Sequence, residues 1–280
     1  GAAKEANRSG LHVQIIAWNL LDSFESALND VIGHRPVGIL AQAASDEQLA
    51  LIVKKARQND IAVVSLDSAS AEVPGTLRIR CDELQGADLA VAHLASLGHQ
   101  RIAHLSRPWG TDSQRSFADL RREGFCRAMQ SRGLIIFEDF IASAGENEEI
   151  DSVIRRWFAD PRAAPTALFC VSDQHALLAI KALRAMGYRV PADVSVVGFG
   201  ELMMSVYCDP ALTTVRQPYH AIGARGVQRI LDLREGREIP SGEEILPVEL
   251  VVRESTGPAP RNHDAVRAVP VTSPLRQEEH

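Results

Sequence analysis

Nowhere does this chain offer 18 consecutive apolar residues, so no stretch of it can span a bilayer as a helix. Cysteine is scarce too. Cys81, Cys126, Cys170 and Cys208 are the only four, far apart and without a C-x-x-C spacing. They form neither a zinc site nor a disulfide framework. Three of them sit in or beside apolar runs, where a reduced thiol packs as a small hydrophobe. The expected compartment is therefore a reducing one, the cytoplasm. Positive charge is not in surplus either: 30 Lys and Arg face 36 Asp and Glu, a formal net charge of −6. The arginines are interspersed with acids, as on solvated helical faces. Such a surface is not built to neutralise nucleic-acid phosphates. No signal peptide is expected from the residues given, which open on Gly1 rather than Met.

Catalytic signatures are missing as well. The stretch "GFGELM", Gly198 to Met203, imitates a dinucleotide fingerprint. That fingerprint needs a third glycine where Met203 stands, and "CDPALTTV" follows at once in place of a long helix. No G-x-x-x-x-G-K-[ST] phosphate loop and no G-x-S-x-G nucleophile elbow occurs. His93, His99 and His104 fall within "HLASLGHQRIAH", but they cross a helix, a turn and a strand. Structural hydrogen bonding suits that spacing better than a metal site. Glu148 with Glu149, and Glu243 with Glu244, read as helix-start or loop solvation rather than acid–base dyads. The residues assemble no catalytic set, no metal site and no cofactor site.

What is present is an alternation. Short apolar runs read as buried strands: 12–18, 37–41, 61–66, 101–106, 134–143, 166–171 and 194–199. Between them lie stretches with apolar residues at i, i+3 and i+4, notably 46–60, 86–98 and 174–187. Asp46 and Asp173 stand where acids complement a helix dipole, and Gly98 and Gly187 stand where helices stop. The pattern predicts an α/β protein with parallel sheets covered on both faces, in one wide sheet or two smaller ones. With 280 residues, 45% of them hydrophobic, the core can be large. From Gly257 onward the period dissolves among prolines, and 257–280 is expected to be a disordered tail. Ligands of such folds bind beyond the carboxyl ends of the strands. That directs attention to Trp18, Asp67, Arg107 to Trp109, Ser172 to Gln174, and Gly200 with Glu201. Ser172 can equally be the capping hydroxyl of the following helix.

Five blocks then stand out in order: "LAVAHLASLGHQRIAHLS", "RREGFCRAM", "PTALFCVSDQHALLAIKALRAMGYRVPADVSVVGFGE", "DPALTTVRQP" and "ILPVELVVREST". Together they resemble the lactose-repressor (LacI/GalR) family of bacterial transcription regulators, over nearly all of residues 1–257. The resemblance implies two periplasmic-binding-protein-like α/β subdomains joined by three crossovers, with an effector in the cleft between them. On that pattern the N-terminal subdomain takes 1–81 and about 218–240, and the C-terminal one about 82–217 and 241–256. It further implies a homodimer, a small-molecule effector that is sugar-like or related, and allosteric control of operator binding. Arg121 matches an arginine that commonly anchors the effector, and Asp67 a cleft-facing acid. Ser172 and Gln174 fall where the family often shows Asn-Asp-Gln, with Asp173 between them as a structural cap. Gln217 falls at the second crossover, where it can touch ligand or hinge; Trp18 and Trp109 can stack on an effector or pack.

Two departures qualify the match. The opening "GAAKEANRSGLHVQ" resembles the middle of the family's first helix, so headpiece, hinge and first strand are expected to be absent from this sequence. Operator DNA would then be read only through a headpiece supplied elsewhere. Secondly, Gly200 stands where the family commonly has an Asp that binds effector hydroxyls, with Glu201 next door. A charge-assisted hydrogen bond is worth about 1.5–3 kcal/mol, so the effector differs from a typical sugar or another group compensates. Two rivals share the architecture: a periplasmic solute-binding protein serving a transporter, and a hydrolase, for which no nucleophile or metal constellation is present.

Overall fold

Every residue of Ile102–Ser106 is buried, as is every residue of Ala167–Cys170 and Ser195–Gly200. Strands so placed need cover on both faces, and the chain supplies it with helices between strands. The computed structural model describes residues 1–17, 23–42, 45–66, 73–74, 76–108, 116–145, 147–237 and 242–260. Its strands are β1 (Gly38–Ala41), β2 (Ala62–Leu66), β3 (Leu77–Cys81), β4 (Ile102–Ser106), β5 (Ile141–Ser143), β6 (Ala167–Cys170), β7 (Ser195–Gly200), β8 (Thr213–Arg216), β9 (Glu243–Leu246) and β10 (Glu249–Val251). Its helices are α1 (Ala2–Arg8), α2 (Phe24–Gly33), α3 (Asp46–Arg57), α4 (Glu83–Ser96), α5 (Phe117–Ser131), α6 (Asn147–Trp157), α7 (Asp173–Ala185), α8 (Met204–Tyr207) and α9 (Tyr219–Arg234).

The strands form two sheets, ordered β1-β2-β3-β9 and β10-β8-β7-β6-β4-β5. Sheet membership changes three times along the chain, after β3, β8 and β9. The first compact unit takes residues 1–86, 109–124 and 216–249; the second takes the rest.

In the first unit β1 pairs with β2, β2 with β3 and β3 with β9, all parallel. Leu49, Ile52 and Val53 of α3 form one core cluster with Ile39 and Val63. Leu40 and Leu66, an odd number of residues along their strands from Ile39 and Val63, lie against Gly226 of α9. Side chains alternate between the faces of a strand, so α3 and α9 cover opposite faces. The expected boundary gave 241–256 to the C-terminal subdomain, whereas β9 pairs with β3 and so belongs to the first sheet. Arg78 and Arg80 draw it there through Glu243.

In the second unit Ile150, Ile154 and Trp157 of α6 and Ala176, Ile180 and Leu183 of α7 pack on Leu105, Leu168, Cys170 and Val196. His104 and Phe169 point to the other face and stack on Phe125 of α5 at 5.2 and 6.4 Å. The punctuation expected of the helices is present. Asp46 and Asp173 stand in the first turns of α3 and α7, and Gly98 and Gly187 adopt φ of 88° and 86° after α4 and α7.

Three expectations require correction. Residues 12–17 of the expected first strand form no strand, and Ile15 is 89% exposed. A strand exists through its ladder, and no described strand pairs with these residues. The apolar run 134–143 is strand only at β5; Glu138–Phe140 form a 3₁₀ turn before it. Residues 257–260, expected to belong to a disordered tail, are held in place, and the rest of that expected tail, 261–280, lies outside the described residues. Gly257 N–H donates to Ser195 Oγ at 3.0 Å, and Ala259 N–H to Leu97 O at 2.9 Å. Backbone pairing fixes what composition left open.

Candidate functional site

The first glycine of "VSVVGFGELM", Gly198, serves a carboxylate of the protein itself. A β-carbon on residue 198 would overlap Asp173 Oδ1 and stand 2.9 Å from Leu212 Cδ2, so only glycine lets α7 approach β7 this closely. Asp173 is fully buried in the first turn of α7. Its carboxylate accepts from Leu202 N–H at 2.7 Å, from Ser205 Oγ–H at 2.6 Å and from the Thr214 hydroxyl. The Leu202 N–H that a phosphate cradle would have offered is thus already taken. Gly200 follows with φ of 134° and Glu201 with φ of 54°, which turns the chain away from the strand. Glu201 is paired at 2.7 Å with Arg253 Nη2, and both are largely shielded.

At the neighbouring strand end, Ser172 caps α7 by accepting from His175 N–H at 3.3 Å. Its hydroxyl also lies 2.8 Å from His175 Nδ1, while His175 Nε2 faces Ala144 O at 3.0 Å. A carbonyl demands a donor, so Nε2 carries the proton and Ser172 donates to Nδ1. Burial lowers the His175 pKa, partly countered by the Ala144 carbonyl. Gln174, one residue into the helix from Asp173, is exposed.

The expected anchor lies in the first unit. Ser116 and Asp119 cap α5 reciprocally: Asp119 Oδ2 accepts from Ser116 N–H at 2.8 Å, and Ser116 Oγ from Asp119 N–H at 3.2 Å. This fixes the start of α5, and Arg121 projects from the turn that follows. Its Nε donates to Glu83 Oε2 at 2.6 Å and its Nη2 to Oε1 at 3.3 Å. Its guanidinium carbon sits 4.8 Å from the centre of the Phe117 ring. Arg121 is 4% exposed and Glu83 3%, so this is a buried, forked ion pair. The Cys81 thiol donates to Glu83 Oε1 at 3.2 Å, and Gln217 Nε2 donates to Cys81 Sγ at 3.2 Å. The Tyr219 hydroxyl donates in turn to Gln217 Oε1.

The fold therefore joins Arg121 to Gln217 through Glu83 and Cys81, and groups Gly200 and Glu201 beside the start of α7. Asp67, Trp18 and Trp109 lie outside the described residues. Sequence reasoning missed Glu83, Tyr219 and Arg253; Ser172 holds the capping place expected of its hydroxyl, while Asp173, also read as a structural cap, is buried and accepts from Leu202, Ser205 and Thr214 instead.

The three histidines take separate partners. His99 Nδ1 lies 3.0 Å from Thr166 Oγ1, and its Nε2 3.0 Å from both Ser195 Oγ and Gly257 O. Burial lowers its pKa to about 4 against the opposing pull of the Gly257 carbonyl. His93 Nε2 meets Thr256 Oγ1 at 2.9 Å, and His104 Nδ1 meets Phe169 O at 3.0 Å. Among the described residues, no three His, Cys, Asp or Glu side chains converge as a metal site.

Residues 91–256 match the family described as periplasmic binding protein-like domain. The chain is 32% identical over 182 residues to the HTH-type transcriptional repressor CytR of Escherichia coli strain K12, covering 65% of this chain and 52% of that protein. It is 31% identical over 248 residues to the lactose operon repressor of the same organism, covering 87% of this chain and 65% of that one. It thus spans between half and two thirds of these relatives' lengths. Among solved structures, a LacI family transcriptional regulator from Mycobacterium smegmatis superposes with a TM-score of 0.73 at 27% identity, over 92% of each chain.

Proposed function

Because this chain belongs to the periplasmic-binding-protein-like domain family, and within it to the LacI family of regulators, we propose that it is the effector-sensing core of a transcription regulator. It holds a small metabolite without transforming it, and the bound state alters how a DNA-reading headpiece, attached to the same protein, meets its operator. Allosteric couplings of this kind span about 1–3 kcal/mol, several-fold to about a hundredfold in occupancy. The observation that carries the reading is identity above 30% to repressors through as much as 87% of the chain. These relatives are regulators rather than transporter components or hydrolases.

In this reading Arg121 anchors the effector, its forked donors suiting paired hydroxyls. Asp67, Ser172, Gln174, Gln217, Trp18, Trp109, Gly200 and Glu201 are the other positions at which it is contacted. The core works as a homodimer. In the second unit Leu202, Met203, Met204, Val206 and Tyr207 are all exposed, Met203 by 77% and Tyr207 by 81%. A contiguous apolar patch of that kind is characteristic of an association surface. We place the protein in the cytoplasm, where its free cysteines stay reduced. No helix among the described residues is long and apolar enough to cross a membrane.

The test is calorimetry of the chain against a panel of sugars, nucleosides and related metabolites, with the bound compound recovered and identified. Saturable binding with unaltered recovery is expected. Turnover of the bound compound would overturn the reading in favour of an enzyme.

A further inference from the structure

Arg121 is already neutralised. Its guanidinium grips Glu83 through two N–H donors at 2.6 and 3.3 Å, and both partners are almost wholly withdrawn from water. Glu83 is held from its other side as well, by the thiol of Cys81, which the amide of Gln217 in turn engages. A carboxylate secured at both oxygens does not swing aside readily. A carboxylate or phosphate approaching Arg121 has two courses. It can displace Glu83 and leave that charge buried and uncompensated, or it can settle beside Glu83 with two negative charges sharing one positive. Either is unfavourable where solvent screening is weak. A hydroxyl meets no such obstacle, since it can donate to Glu83 and accept from Arg121 without separating the pair.

We propose that Glu83 is a specificity-determining residue: a built-in counter-ion that closes Arg121 to anions, so that the chain selects uncharged, hydroxyl-bearing effectors over their phosphorylated or acidic forms. This rests on the reading of Arg121 as the effector's anchor. The discrimination resides in a side chain 38 residues away from the arginine in sequence. It is a property of this pair and not of the arginine alone.

The experiment titrates inorganic phosphate, and the pairs glucose with glucose 6-phosphate and ribose with ribose 5-phosphate, into the wild-type chain, Glu83→Gln and the double variant E83Q/R121Q. Thermal midpoint and calorimetric heat are the readouts. The wild type is expected to ignore phosphate. Glu83→Gln is expected to gain saturable phosphate binding, with a rising midpoint, at least about tenfold tighter than in the double variant. Any sugar the wild type binds should exceed its phosphate ester about tenfold or more, and Glu83→Gln should narrow that ratio. Should Glu83→Gln prove unstable without an anion, a midpoint that phosphate restores in it, and not in the wild type, is the same positive result. Phosphate binding by the wild type that Arg121→Gln abolishes would overturn the proposal. So would a Glu83→Gln chain that gains nothing from phosphate. A wild type that binds no metabolite of any kind, while Glu83→Gln gains phosphate as expected, would instead count against the sensing reading and leave the counter-ion role standing.

Discussion

The carboxylate of Asp173 fills the space that a side chain on Gly198 would need. The strand residue has no side chain because the helix carboxylate stands where its β-carbon would be. Gly198→Ala must therefore push Asp173 away from Leu202, Ser205 and Thr214, its three donors. Overpacking a tight core costs about 1–3 kcal/mol, and loosened charge-assisted bonds add to it. We expect a fall of at least about 2 kcal/mol in chemical denaturation. In an Asp173→Ser background the same substitution should cost distinctly less, because the clash with the carboxylate is gone while the contact with Leu212 remains; equal costs in both backgrounds would refute the steric account.

Breaking the buried pair should be far more damaging than removing it whole. Arg121→Met leaves Glu83 buried and uncompensated, a change that costs about 3–5 kcal/mol. Replacing both, as in R121M/E83L, should recover most of that loss, because two apolar groups of similar size need no partners. A double-mutant cycle by urea denaturation measures the coupling. Additive single effects would mean the two side chains do not depend on each other.

How far the sequence disclosed this arrangement depends on what each residue reports. β4, β6 and β7 were legible because strands buried on both faces are apolar throughout. β3, "LRIRC", escaped notice because Arg78 and Arg80 interrupt its apolar run, and what stabilises them is Glu243 on β9. That strand is itself acidic and makes sense only beside β3. The run 12–17 shows the converse, an apolar pattern with no ladder to complete it. Arg121 could be nominated from its motif, but its partner lies on another helix, and nothing local announces a contact formed only by folding. Gly198 was legible as unusual. That its purpose is to admit Asp173 is a fact of three dimensions.

Acid should weaken the second unit through His99. Its folded pKa, about 4, lies below the ordinary 6.5 because burial disfavours the imidazolium. The unfolded chain therefore takes up the proton first. This group contributes full stability above about pH 6.5, loses it as pH falls, and changes nothing further below about 4. Linkage gives a loss of about 2 kcal/mol by pH 5 from this residue alone. His99→Gln should flatten the stability profile between pH 6.5 and 4 while lowering its neutral plateau. His175 and His93, also shifted down by burial, leave a residual slope of the same sign. An unchanged slope in His99→Gln would remove His99 from the account.

Association should depend on the exposed face of α8. Met204, Val206 and Tyr207 of this four-residue helix present large apolar side chains to solvent, with Leu202 and Met203 just before it. Ser205 alone in that stretch turns inward, to Asp173. The anchorage through Asp173 thus fixes the orientation of the patch: one polar residue faces in and the apolar ones face out. Met204→Asp and Tyr207→Asp place charge on the surface without touching that anchorage, so the fold should survive with its thermal midpoint little changed. Sedimentation equilibrium is expected to show a dimer for the wild type and a monomer for M204D/Y207D. A variant that unfolds would mean the patch packs within the chain, and one that stays dimeric would move the interface elsewhere. Only the combination of an intact fold with lost association assigns the surface to a second copy.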